Sequence, residues 1–327
     1  MSGGNLPYHL RPNKAVERQL FIELLLKINR FCSLSEYVYV GFGGPFLEDF
    51  KIIHSYFDNK RMISLEIEQH VYKRQCFNKP LGCIKCLNKS SKDYIDSYDL
   101  KDNAIIWLDY VEPKKLEEQL SEFQSLLGKI QHYDVVKITL NANPDALGNK
   151  GKTPEEKQKH RFQVLKSRIG KRLPSNVDEH QINKEQLPQV LCGVLKNVAK
   201  TKITEVLPNH LFQPLTAFVY SDGPHQMLTL TGILLDKNEI KNFLNLTTID
   251  SWTFAIKKWG PPERIDVPIL TLREKMFIDS FLPNSSHKDI HEQMNFSFDE
   301  DPQKSLEMLK NYVKYYRYYS YFSKIIV

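Results

Sequence analysis

The stretch YVYVGFGGPFLEDF, Tyr37 to Phe50, sets a run of β-formers directly against three glycines and a proline, followed by an acidic, then apolar, segment of helical character. A strand that ends in such a turn and feeds a helix leaves backbone amides bare of side-chain bulk, so a ligand can approach them closely. Dinucleotide-binding folds ask for Gly-x-Gly-x-x-Gly there, the third glycine letting helix pack on strand. Counted from Gly41 and Gly43, that third position is Phe46, which argues against NAD or FAD. Pro45 fits as the first residue of the following helix.

Outward from this turn, the first half of the chain alternates strand and helix. NKAVERQLFIELLLKINRF places Val16, Leu20, Leu24 and Ile28 at near-helical spacing, an amphipathic opening helix. Buried strands are expected at Tyr37 to Val40, Met62 to Leu65, Ala104 to Leu108 and Val135 to Leu140, with a weaker one at Gly82 to Leu87. Strands alternating with helices imply parallel pairing and a doubly wound sheet, with ligands beyond the carboxyl ends of the strands. Residues 145–212 break the pattern with polar, basic, proline-punctuated sequence and read as a helical insertion or cap. TAFVYSDGPHQMLTLTGILL then reads as an antiparallel hairpin turning at Asp222-Gly223. A parallel core finished by such a hairpin is the strand inventory of class I methyltransferases: a mostly parallel, seven-stranded α/β sheet. The expected divisions are a core at 1–144, the insertion at 145–212, the hairpin at 213–240 and a C-terminal extension at 241–327, whose last helix opens with Asp301 as N-cap and Pro302 at its first position.

On that fold, the residues at successive strand ends acquire roles. S-adenosylmethionine (SAM) carries no phosphate, so its turn needs close approach without a pyrophosphate cradle, and Gly41, Gly43 and Gly44 supply it. Glu66, 25 positions beyond Gly41 in MISLEIEQH, ends strand 2 where a carboxylate can accept from both ribose hydroxyls; Glu68, two residues on, is the alternative. Asn88, Ser90 and Ser91 follow the weak third strand, beside the adenine. Asp109 and Tyr110 end strand 4 at the sulfonium end and are the catalytic candidates, Asp109 near the methyl group and Tyr110 shaping the pocket. Asn141 and Asn143 in LNANP line the acceptor side. The turn LDYVEP lacks the double proline that amino-group nucleic-acid methyltransferases use to hold a flipped base, which lowers that substrate class.

The runs YHLRPNKAVERQLF, YVYVGFGGPFLEDF, MISLEIE, KRQCFNKP, SSKDYI and WLDY, with YSDGPHQMLTLTGILL and VPILTLREKMFID later on, resemble a bacterial family described as putative O-methyltransferases. The resemblance spans nearly the whole chain and implies a SAM-dependent enzyme, O-directed, of open acceptor. The broader methyltransferase turn carries an acid two places before Gly-x-Gly-x-Gly; here Tyr39 holds that position and Pro45 the last glycine, with Glu48 or Asp49 as stand-ins for the acid. Two other readings stay open beside it: a methyltransferase-like, non-catalytic binding subunit of a multi-protein system, and a nucleic-acid methyltransferase.

Composition bounds these readings. A 41% hydrophobic content over 327 residues supplies one large core, and no apolar run approaches the ~20 residues of a membrane helix. The first residues, MSGGNLPYHLRPNK, lack the apolar centre of a signal peptide, and five cysteines suit a reducing compartment, so a cytoplasmic location is expected. Net charge is only +6, but Lys157 to Arg172 holds seven basic residues and no acid: a solvated helix face, or a surface capturing an anionic substrate or nucleic acid through Arg161, Arg168 and Arg172. Cys76, Cys83 and Cys86 lack a well-spaced fourth ligand for zinc, and Cys83 and Cys86, flanking a strand, read as core residues. Six tyrosines crowd 312–321, where Leu309, Val313 and Tyr316 would dock the last helix on the parent domain or meet a partner or second copy.

Overall fold

The computed structural model describes residues 11–99 and 101–319; the first ten residues, read above for a leader, and Tyr321 of the tyrosine run lie outside them. After helix α1 (Pro12–Ile28), the chain lays down β1 (Val38–Gly41), α2 (Glu48–Phe57), β2 (Met62–Leu65), α3 (Gln69–Asn78), β3 (Ile84–Leu87), α4 (Ser91–Asp96), β4 (Ala104–Asp109), α5 (Leu116–Leu127) and β5 (Val135–Asn141). These strands pair in parallel, each following a helix that packs back on the sheet. Two long helices, α6 (Pro154–Ile169) and α7 (Leu187–Val206), lead to the hairpin of β6 (His210–Ser221) and β7 (Gln226–Asp236), and β7 runs antiparallel between β5 and β6. Then come α8 (Ile240–Leu246), β8 (Glu263–Ile265), α9 (Leu272–Asp279), α10 (His287–Gln293) and α11 (Pro302–Tyr315).

The strand order is β3-β2-β1-β4-β5-β7-β6-β8. The first seven places are the class I methyltransferase arrangement expected from the sequence. The eighth strand was not expected: Glu-Arg-Ile is too short and too polar to announce itself, and it pairs only because Phe218 to Tyr220 offer it a free edge. Helix α2 opens at Glu48, three residues later than Pro45 suggested, since Leu47 turns through a left-handed conformation (φ 52°) first. Helix α7 is no overhanging cap. Its Val190, Leu191, Val194, Leu195 and Val198 are buried in one cluster with β4, β5 and α5, and Leu147, Leu165, Ile169 and Ile182 of the segment before it join the same cluster.

Side-chain alternation along the strands divides the interior into two faces. Ile106 and Leu108 join Tyr110 and Phe123 on the α5 and α7 side, while Ile105 and Trp107 join Phe21, Leu24 and Phe50 on the α1 and α2 side. Helix α1 is covered nearly all round rather than amphipathic, because Val16 and Leu20 also meet a third cluster built by the C-terminal extension. In that cluster the docking face of α11 is Leu309, Tyr312 and Tyr315, with Tyr319 beyond, each at most 2% exposed. Val313 and Tyr316 flank it and remain half-exposed. Asp301 accepts from the Gln303 N–H with Pro302 at the first helical position, as the sequence indicated.

Candidate active site

The turn after β1 is shaped by what surrounds each glycine. The Gly43 N–H donates to Ser64 Oγ at 3.1 Å and its carbonyl accepts from the Leu47 N–H at 2.9 Å. A Cβ on Gly43 would lie 2.3 Å from Leu47 Cδ2 and 2.6 Å from Ser64 Oγ, so the site admits only glycine. Gly44 differs: its φ is +52°, and a Cβ there would meet nothing within 4 Å. The turn is therefore packed from below at Gly43 and open above at Gly44. Helix α3 fixes it from the flank, with Gln75 Nε2 donating to Gly44 O at 3.0 Å and Asn78 Nδ2 to Pro45 O at 2.7 Å.

Next in the sheet, Glu66 leaves β2 with its carboxylate half-buried. Oε1 accepts from the Glu68 N–H at 2.9 Å, and Asn88 Nδ2 donates to the carbonyls of Glu66 and Ile67 at 2.8 and 3.1 Å, so the loops after β2 and β3 are tied together. Burial raises the Glu66 pKa above its ordinary value despite the backbone donors of Glu68 and Ile67. Such a carboxylate gains from further neutral donors, which two vicinal hydroxyls are. Glu68 is exposed and serves as the residue before α3. Ser90 caps α4, accepting from the Asp93 N–H at 3.0 Å, and Ser91 opens that helix.

Asp109 and Tyr110 point to opposite faces of the sheet. The Tyr110 ring lies among the α5-side residues, edge-on to Phe42 at 5.7 Å, and its hydroxyl donates to Glu122 Oε2 at 2.5 Å. Burial, then Glu122, push its pKa well above the ordinary value, so this phenol stays protonated. Asp109 faces α1, where Arg18 Nη2 lies 3.9 Å from its Oδ2. The same guanidinium is held on Asp49 at the start of α2, Nε to Oδ1 at 2.6 Å and Nη2 to Oδ2 at 3.3 Å, and stacks over Trp107. Burial disfavours the Asp49 charge, but Arg18, with Lys14 and Lys137, outweighs it and holds the carboxyl below its usual range. Lys14 sits one helical turn before Arg18; burial and then Arg18 push its pKa down to about 8, against the pull of Asp109 and Asp49.

What brings α1 here is the hairpin loop. Asp222 accepts from the backbone N–H groups of Asn13 and Lys14 at 3.1 and 2.7 Å, a cap supplied from more than two hundred residues away. Asn13 in turn donates to Ser221 O and accepts from the Val267 N–H. The N-terminus of α1 is thus pinned over the carboxyl ends of β4, β5 and β6.

A family profile described as "Putative O-methyltransferase" matches residues 6–327. The chain belongs to this family. Among solved structures, Trm1 from Pyrococcus horikoshii in complex with S-adenosyl-L-methionine aligns at 10% identity over 68% of this chain, with a TM-score of 0.43. The N-methyltransferase NodS from Bradyrhizobium japonicum WM9 aligns at 11% identity over 68% of this chain and 97% of its own, with a TM-score of 0.35. This chain spans 55% of the Trm1 chain it matches. No curated protein matches it.

In this O-methyltransferase family member, the residues expected at the site fall into two groups. Gly41, Gly43, Gly44, Glu66, Ser90, Ser91 and Asp109 stand at neighbouring strand ends along β3-β2-β1-β4, with Asn88 between them. Asn141 and Asn143 instead build the turn after β5: Asn141 Oδ1 accepts from the Asn143 N–H at 3.0 Å and Asn143 Nδ2 donates to Pro224 O at 2.8 Å. The arginines of the basic stretch are likewise engaged within the chain. Arg161 reaches Gly148 O and Asp145, Arg168 reaches Pro113 O, and Arg172 reaches Ser121 and Gln124. Missing from the sequence-derived site were Lys14 and Arg18. Their signal was present: α1 has no acid in its first turn and places Lys14 there, against the helix dipole.

Among the described residues no helix is long and apolar enough to cross a membrane.

Proposed function

We propose that this chain is a SAM-dependent methyltransferase acting on an oxygen nucleophile, with the cofactor lying along the carboxyl ends of β2, β1 and β4. One observation carries the reading: the open glycine turn, a half-buried carboxylate and an aspartate on a cationic cluster occupy adjacent strand ends in the order a nucleoside, its ribose and its amino-acid tail require. The residues fit the group. The space above Gly44 admits close approach, Glu66 takes the ribose hydroxyls, Asn88 and Ser91 border the base, and Arg18 offers positive charge to a carboxylate. SAM, when bound, supplies an electrophilic methyl group on a sulfonium.

The chain's own task is then positional and protolytic. A hydroxyl acceptor is nearly inert until its proton is drawn away. Lys14, with a pKa near 8, is partly neutral at physiological pH and lies in the field of Asp109, so the pair can take that proton and keep it. Arg18 locks Asp109 and Asp49 in one arrangement, tying the end of β4 to the start of α2. LDYVEP, with no double proline, has nothing built to grip a flipped base, which favours oxygen over an exocyclic amine.

Calorimetric titration of cofactor-free protein with S-adenosylhomocysteine, with NAD as control, tests the assignment. Micromolar binding that Glu66→Ala weakens at least tenfold is expected. Absence of binding by the unliganded wild type overturns it.

A further inference from the structure

Beyond that reading, one group of side chains has no part in methyl transfer. Cys76 on α3 and Cys86 on β3, ten residues apart in sequence, face one surface cavity at the outer edge of the sheet. Cys76 is exposed and Cys86 half-buried. Both line a surface cavity of about 380 Å³ together with Lys79, Gly82, Ile84 and Lys85. Burial and then the neighbouring Cys76 push the Cys86 thiol up to about 11, so the exposed partner is the one positioned to react first. Cys83 is differently engaged, its Sγ lying 3.8 Å from His54 Nδ1.

The position of Cys76 gives the pair a consequence. It lies between Gln75 and Asn78, the two α3 residues whose amides hold the Gly44 and Pro45 carbonyls. Gln75 is fully buried, so any shift of this stretch of α3 is felt at the glycine turn.

We propose that Cys76 and Cys86 are a reversible dithiol/disulfide site that exchanges with anionic low-molecular-weight disulfides and is mechanically coupled to the glycine turn. The steps balance without any other oxidant. The Cys76 thiolate attacks one sulfur of the disulfide RSSR, forming a mixed disulfide and expelling RS⁻ with the bonding pair. The Cys86 thiolate then attacks Cys76 Sγ, expelling the second RS⁻. The two protons lost by the cysteines are taken up by the two leaving thiolates, so the dithiol is oxidised by two electrons and RSSR is reduced to two RSH. Lys79 and Lys85 at the cavity rim select the charge of the reagent: a carboxylate-bearing disulfide is drawn in and a cationic one repelled. Closure of the bond brings the sulfurs to about 2.05 Å. That movement draws α3 toward the edge strand and strains the Gln75 and Asn78 bonds to the turn.

The test uses the full chain, without acceptor or cofactor. Reduced protein is incubated with oxidised glutathione or with cystamine, digested under non-reducing conditions and mapped by mass spectrometry. Expected are a peptide pair joined through Cys76 and Cys86, reversal by dithiothreitol, and reaction several-fold faster with glutathione disulfide than with cystamine at low salt. Cys86→Ser traps a single glutathione on Cys76, and Cys76→Ser traps none. Amide hydrogen exchange over 43–50 quickens several-fold in the oxidised protein and not in Cys76→Ser exposed to the same reagent. Linkage through other cysteines, cystamine reacting as fast as glutathione disulfide, or unchanged exchange at 43–50 with the disulfide formed overturns the proposal. Because none of these readouts needs SAM, failure here is separate from failure of the methyltransferase reading.

Discussion

Gly43→Ala and Gly44→Ala, adjacent substitutions with the same added methyl, should fail in different ways. At Gly43 the new Cβ would sit 2.3 Å from Leu47 Cδ2, 2.6 Å from Ser64 Oγ and 3.0 Å from the Phe50 ring. All three neighbours are fully buried, so none can swing into solvent. Forced overpacking of this kind costs about 1–3 kcal/mol. Displacing Ser64 also weakens its bond to the Gly43 N–H, worth roughly 1 kcal/mol. The sum is a loss of about 2–4 kcal/mol in folding stability, read as a lower urea midpoint. At Gly44 nothing lies within 4 Å, and the cost to folding is only the left-handed backbone, about 1–2 kcal/mol for an alanine at φ +52°. Its methyl instead enters the space assigned to the cofactor. Affinity for S-adenosylhomocysteine should fall at least tenfold, about 1.4 kcal/mol. Calorimetry on urea-characterised variants separates the two effects. Wild-type affinity in Gly44→Ala would remove the cofactor from this turn, and a wild-type urea midpoint in Gly43→Ala would refute the packing argument beneath it.

Arg18→Ala leaves the Asp49 carboxylate buried without its main counter-ion and should lower stability by about 3–5 kcal/mol, with Arg18→Met/Asp49→Leu recovering much of the loss in the same denaturation assay. Because the folded pKa of Asp49 lies below its unfolded value, the contribution of that pair is present above about pH 4 and lost as pH falls through the folded value, so Asp49→Leu should flatten the acid limb of the stability profile. Asp134 titrates with the opposite sign. Burial raises it to about 6 although it accepts from Ala104, Gln131 and Asn103, so the folded state keeps a proton the unfolded chain has lost. Stability from this group should fall by about 2–3 kcal/mol between pH 4 and pH 6 and then level, a slope absent from Asp134→Asn. Tyr312→Phe deletes the bond donated to Asp279 Oδ1 at 2.7 Å and the one accepted from Lys275 Nζ at 3.0 Å. A loss of about 1.5–3 kcal/mol and earlier proteolytic release of the C-terminal extension are expected.

How much of this was legible beforehand depends on where each signal lives. The five parallel strands stood within a few residues of their places, because short apolar runs between helical periods are a local pattern, enforced by burial on both faces in all but the edge strand β3. Strand β8 has no such pattern, existing only because β6 presents an open edge. The basic stretch poses a related problem: charge is visible in sequence, but whether Arg168 meets an anion or the Pro113 carbonyl is decided by a loop 55 residues away. Helix α7 was mistaken for a cap because the prolines and short turns before it hid a core crossover helix.

The α1 cluster is the most informative miss. Val16, Leu20, Leu24 and Ile28 define one apolar stripe, so a helix with water on its other side would leave Lys14 and Arg18 as ordinary surface charges. Lys14, in the first turn, works against the helix dipole by a few tenths to about 1 kcal/mol, a local inconsistency with no acid in that turn to offset it. The compensation is tertiary: Asp222 caps the helix from the hairpin loop, and Asp49 and Asp109 meet Arg18 from two other elements. Cations near the start of α1 are thus offset by a cap from the hairpin loop and by carboxylates from the start of α2 and the end of β4, not by α1 itself. The glycine turn therefore marks only half of the cofactor site proposed above, and the charges that α1 on its own had no reason to carry mark the other half of that proposal.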